Sequence, residues 1–220
     1  MRISSDTSSI LKNFSEINQS IRFRVGSKVS TLHPEKVVMA EADVAERFET
    51  DCNIYDLSRV LSITQIFEDP NYIFGEESLQ ITSGNKDVSV RYCDPCLITT
   101  AENSDNLRKK IEDSKVAETS ITKAEFKNIK QSAQILGLPN IVVIASNGCV
   151  QLKTTDVQNP SSDVFTLDLV GTVHKDYEAI INVAHFKLLE GDYDIVISEG
   201  LGYFKNKNLP VEYWVAFQSV

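Results

Sequence analysis

Cys93-Asp94-Pro95-Cys96 has the first spacing in this chain that could do chemistry, as a redox pair or as half of a zinc site. A closed zinc site needs two further ligands, and the other cysteines, Cys52 and Cys149, stand far apart. The pair also follows a predicted strand, whereas the redox version opens a helix. It reads as two incidental cysteines at a strand end, in a chain whose scattered thiols suit a reducing compartment. His33, His174 and His185 lack the His-x-x-x-His or Glu-x-x-His spacing of metal ligands. No Gly-x-x-x-x-Gly-Lys-Ser/Thr loop is present to cradle a phosphate, and Gly200-Leu201-Gly202 reads as a turn. No Ser, His and Asp arrangement suggests a nucleophile with its base. The expectation is a protein that is not an enzyme and uses no cofactor or metal.

What remains is charge. The chain nets −9 over 220 residues, which taken alone speaks against gripping a polyanion, because duplex binding rests on Lys and Arg neutralising phosphates. The distribution reads differently. A helix predicted over Thr122–Leu136 sets Lys123, Lys127, Lys130 and Gln134 in a stripe of roughly 60°, opposite Phe126, Ile129, Ala133 and Leu136. In a helix over Asp6–Ser20, Lys12 lies opposite Ile10, Leu11, Phe14 and Ile17. Arg59 falls on a predicted helix over Asp56–Ile66, and Lys187 on a short one over Asn182–Glu190. These helices hold six bases against five acids (Asp6, Glu16, Asp56, Glu125, Glu190), so they net +1 and the remainder nets −10. A Lys stripe is usually just a solvated face. The contrast with an acidic remainder favours a few loose, non-specific phosphate contacts.

The elements that carry these helices are mostly strands. Hairpins are expected where Gly26-Ser27, Ser83-Gly84-Asn85 and Asn147-Gly148 interrupt apolar runs. Further strands are expected near Val37–Glu41, Phe48–Ile54, Val164–Val173, Tyr177–Ile181, Tyr193–Ser198 and Val211–Phe217. The polar stretch from Asp94 to Ser120 reads as irregular. The order helix, strands, helix, strands occurs twice, and Lys12-Asn13-Phe14 is echoed by Lys127-Asn128-Ile129. Two similar domains, 1–100 and 121–220, joined by a connector over 101–120, are therefore expected. With 42% hydrophobic and 24% charged residues the composition is that of an ordinary globular protein. No apolar run approaches the ~18 residues of a membrane span.

Ile3-Ser4-Ser5-Asp6-Thr7, Leu11-Lys12-Asn13-Phe14 and Ile17-Asn18 resemble the opening of the sliding clamps of T-even-like bacteriophages. Asp51-Cys52-Asn53-Ile54-Tyr55-Asp56-Leu57, Gly191-Asp192-Tyr193 and Tyr213-Trp214-Val215-Ala216 are similar too, while residues 69–121 depart from the pattern. The resemblance implies an α+β subunit of two domains of the DNA-clamp type, with three subunits closing a ring around duplex DNA. Helices would line the hole and antiparallel sheets would form the outside. It also implies tethering of the phage DNA polymerase, handling by an ATP-dependent clamp loader, and residence in the host cell cytoplasm. Support of late transcription through a sigma-like factor and its co-activator is implied as well. The DNA-channel residues would be Lys12, Arg59, Lys123, Lys127, Lys130 and Lys187. A more distant likeness of Tyr213–Phe217 to the last strand of cellular clamps suggests a partner-peptide pocket of Leu32, Val37, Leu107, Ile111, Trp214 and Phe217. Val88–Tyr92 and Val164–Val173 are the edge strands expected to join subunits. A virion or baseplate assembly protein of β-sandwich repeats would explain the strands and the acidity, but not the duplicated helices or the Lys stripe.

Overall fold

The computed structural model describes residues 1–101 and 104–218, and the chain divides into two units, Met1–Glu102 and Asn103–Val220. In the first, α1 (Ser5–Ile17) starts where the Ser4 side chain accepts from the Thr7 amide, and it buries Ile10, Leu11, Phe14 and Ile17. It is followed by β1 (Ile21–Phe23), β2 (Gly26–Leu32), β3 (Val38–Phe48) and β4 (Cys52–Ile54). Asp56 then caps α2 (Leu57–Thr64) by accepting from the Arg59 amide at 2.8 Å. Next come β5 (Asn71–Phe74), β6 (Ser78–Ser83) and β7 (Lys86–Arg91). β1 pairs with β4, β2 with β3, and β5, β6 and β7 form a three-stranded sheet, every pairing antiparallel. The Phe23 and Phe48 rings meet at 4.7 Å between centroids, with Phe74 edge-on to Phe48 at 5.2 Å, an arrangement aromatic quadrupoles favour.

The second unit opens with α3 (Ser104–Asp113) and β8 (Lys115–Ile121), so the stretch expected to be an irregular connector is largely regular structure belonging to this unit. Its polarity is that of a helix with one narrow apolar stripe, Leu107 and Ile111, four residues apart. α4 (Lys123–Leu136) has a capping box between Thr122 and Glu125 and stops at Gly137, whose φ of 66° is the left-handed conformation glycine favours. β9 (Asn140–Ser146), β10 (Cys149–Thr155), β11 (Phe165–Val173) and β12 (Tyr177–Asn182) follow, then β13 (Tyr193–Ser198), β14 (Leu201–Asn206) and β15 (Val211–Ala216). In this unit the strands neighbour one another in the order β12, β9, β10, β11, β8, β13, β14, β15. Gly171 marks where β11 leaves β10 and joins β8, since a Cβ there would sit 2.4 Å from the Glu118 carbonyl. α4 packs across β10 and β11. Its Phe126 ring lies 5.3 Å from both Phe186 and Tyr193, and Tyr193 lies 6.2 Å from Tyr213.

The helix expected over Asn182–Glu190 does not form. A single 3-10 turn, Val183–His185, stands there, capped by the Asn182 side chain. Phe186 and Leu188 are both buried. Burying alternate residues is the period of extended chain rather than helix, and these two anchors unwind the segment. The duplication is otherwise visible in the pairing itself. α1 precedes β1–β4 and β2–β3 pairs as α4 precedes β9–β12 and β10–β11 pairs, and β5–β6–β7 is matched by β13–β14–β15. β5 and β14 were not foreseen from the sequence. Among the described residues no helix is long and apolar enough to cross a membrane.

Candidate functional site

The basic residues singled out in the sequence fall mainly on the helices. In the first unit Lys12 on α1 and Arg59 on α2 are exposed, on helices that pack against one another. In the second, Lys123 and Lys127 are exposed on α4. Lys130 is half-buried, with its ammonium 5.6 Å from the Phe126 ring centroid and donating to the Leu188 carbonyl at 3.4 Å. The cause is angular: Lys130 stands only about 40° around the helix from Phe126, so its stem lies along the apolar stripe while its head reaches a carbonyl. Lys187 is half-buried beyond the 3-10 turn and is not helical. The helices α1, α2 and α4 hold five bases (Lys12, Arg59, Lys123, Lys127, Lys130) and three acids (Asp6, Glu16, Glu125), a balance of +2 within a chain of −9. That is weak attraction for phosphate, confined to one class of surface.

The six residues suggested as a peptide pocket are not all brought together. Leu32 and Val37 flank the turn between β2 and β3, both half-buried. Trp214 on β15 is 1% exposed, so it is packed rather than offered. Strand alternation sets Trp214, Glu212 and the facing Tyr203 on the sheet side opposite Tyr213, and hence opposite α4. On that side lie Leu107 and Ile111 of α3, whose Arg108 guanidinium sits over the Trp214 ring at 5.4 Å and donates to Glu212 at 2.7 Å. Burial, with the Glu212 carboxylate beside it, pushes the Tyr203 phenol well above its usual value. Phe217 goes the other way, toward Tyr177 and Gly202 on the core side. Leu107 and Ile111 thus belong to the helix over β13 and β14 that reaches Trp214 through Arg108, and Phe217 lies on the other side.

Among the strand edges left open in the described residues are those of β7 and β11. β7 pairs only with β6. β11 pairs along Phe165–Val170 with β10 alone, and takes β8 as second neighbour only at Gly171–Val173. Val170, on this open stretch, is 95% exposed. Sequence reasoning missed the surfaces beside these edges. A groove of about 580 Å³ runs between α2 and β7, lined by Tyr55, Arg59, Ile63, Val88, Val90 and Arg91 among others. At the end of α4, Ile135 is 80% exposed. Ile63 and Ile135 both fall outside the apolar stripes of their helices, and that misplacement was the available signal.

Burial raises the Cys93 thiol pKa, and the hydrogen bond with Asp94 raises that of Cys96; neither is primed as a nucleophile. Burial also pushes Cys52 up to about 12.

No family model matches the chain. A sliding clamp of Vibrio phage KVP40 is 23% identical over 224 residues, covering 100% of both chains. A sliding clamp of Escherichia phage RB69 is 24% identical over 206 residues, covering 90% of this chain and 87% of its own. Among solved structures, the proliferating cellular nuclear antigen of Entamoeba histolytica superposes with a TM-score of 0.69 at 15% identity, over 97% of this chain and 95% of that one. That of A. fulgidus, solved with the C-terminal region of FEN-1 bound, gives 0.70 at 15% identity over the same shares. The chain is thus similar over its full length to phage sliding clamps, and it has the clamp fold.

Proposed function

We infer that the chain is one subunit of a ring that encircles duplex DNA and tethers the replicative DNA polymerase for processive synthesis. The observation that carries this is the duplicated unit whose longest helix, α1 or α4, turns an apolar face to the sheets and lysine to solvent. Three subunits of two units each would close head to tail, β7 of one pairing with the open stretch of β11 on the next, since these are unlike patches on one chain. The exposed Lys12, Arg59, Lys123 and Lys127 would face the duplex, with Lys130 and Lys187 at the margin. Leu107, Ile111 and Trp214 would receive partner peptides. An ATP-dependent clamp loader would open the ring, and a sigma-like factor with its co-activator would use it in late transcription.

The test is topological. Loaded on a nicked circle by its loader, the protein should persist at salt that abolishes ordinary phosphate contacts, and be lost when the circle is cut. The free protein should bind linear duplex poorly. Indifference of the loaded state to linearisation, or tight sequence-selective binding by the free protein, would exclude encirclement.

A further inference from the structure

Trp214 is the single tryptophan of the chain, and its buried indole N–H has no hydrogen-bond acceptor among the described residues. Buried donors are nearly always paired, so this one calls for an acceptor from outside. The helix beside it is a slight element. Of the ten residues of α3, six are charged and only Leu107 and Ile111 are apolar. A helix of that length does not hold itself together in water, so it depends on the sheet beneath. Its main ties there are that apolar pair and Arg108, which joins Glu212 and covers the Trp214 ring. α4, by contrast, is capped at both ends and roots Phe126, Ile129 and Ala133 in the core.

We propose that α3 is a displaceable cover over the β13–β14 face beside Trp214, latched by Arg108, and that a partner peptide binds by lifting it. The proposal rests on the peptide-tether reading above and adds what controls access. The occupant's chemistry follows from what it replaces. It needs apolar side chains in place of Leu107 and Ile111 and a backbone carbonyl for the indole N–H. The cover lowers the apparent affinity by the fraction of molecules in which it is shut. Loosening the latch therefore tightens binding instead of weakening it.

The experiment uses the full chain and a synthetic peptide from the polymerase that the ring is proposed to tether, with a scrambled control. Without peptide, α3 amides should exchange hydrogen about tenfold or more faster than those of α4; exchange as slow as α4 overturns the cover. Peptide should change the emission of Trp214. Arg108→Ala and Glu212→Gln should each bind the peptide about three- to tenfold more tightly than the parent. Weaker binding by both would make Arg108 a contact and overturn the latch. If α3 exchanges fast but the peptide binds no form of the protein, the peptide-tether reading falls, and the occupant proposed here falls with it.

Discussion

At the scale of the residue, two groups show how position decides role. Trp214 is buried in β15, so truncation should act first on stability. Trp214→Ala is expected to lower unfolding free energy by about 3–5 kcal/mol in a denaturant titration, and a loss below about 1 kcal/mol would mean the site is not core. Trp214→Phe keeps most of the packing and deletes only the unpaired indole N–H, so it should be far milder. Glu46 illustrates charge. Burial pushes its carboxyl up, but hydrogen bonds from the Thr7 hydroxyl and the Ser4 amide outweigh that and hold it below the usual carboxylate range. Asp51 is likewise lowered, by the Val25 amide and by Arg22. Both carboxylates bind fewer protons folded than unfolded. Their stabilisation is complete above about pH 4.5 and is lost as pH falls through their lowered folded values. Glu46→Gln should therefore flatten the acid limb of a stability–pH curve and leave its neutral region parallel to the parent. An unchanged acid limb would contradict the hydrogen-bonding account.

At the scale of the element, α4 carries the sharpest test. Replacing Lys123, Lys127 and Lys130 together by Glu moves its balance from +2 (three lysines less Glu125) to −4 (four glutamates) on the face proposed to meet phosphate. Loading and sliding on DNA should suffer while native mass stays unchanged; dissociation of the assembly would show that the face serves subunit contact instead. Lys130, tied to Leu188, should contribute less than its neighbours when changed alone. This helix was legible from sequence because each local signal agreed: Thr122 and Glu125 as capping box, a 3.6-residue apolar period, and Gly137 at the end. α3 was not, because two apolar residues among charges look like solvated chain, and its helicity depends on the sheet below. The segment after Asn182 failed in the opposite sense. Ala184, His185 and Lys187 permit a helix, but tertiary burial of Phe186 and Leu188 overrides that local preference. The exposure of Lys123 and Lys127 could be read from spacing alone. The meeting of Arg108 with Trp214 and Glu212 could not, since it joins residues a hundred apart through pairings that no local pattern contains.

At the scale of the whole molecule, native mass in solution should equal three times the 24.6 kDa of the chain. A stable monomer or an isologous dimer that neither DNA nor loader alters would rule out the ring. The open edge of β7 has a further consequence. Ser83 faces Lys86 across a two-residue turn, and the Tyr92 amide bonds to the Glu77 carbonyl. The N–H groups of Lys86, Val88 and Val90 thus turn toward β6, leaving those of Asp87, Ser89 and Arg91 on the free side. Ser89→Pro deletes an outward donor without breaking the ladder to β6, a change that edge strands tolerate. Such a subunit keeps its β11 edge and loses its β7 edge, so it becomes monovalent where the parent is divalent, and it can terminate a chain of subunits but never let it close. Mixed with parent protein it should act as a poison: intact rings should fall as the cube of the parent fraction, far more steeply than simple dilution. Linear loss of processivity on mixing would show that closure does not pass through β7.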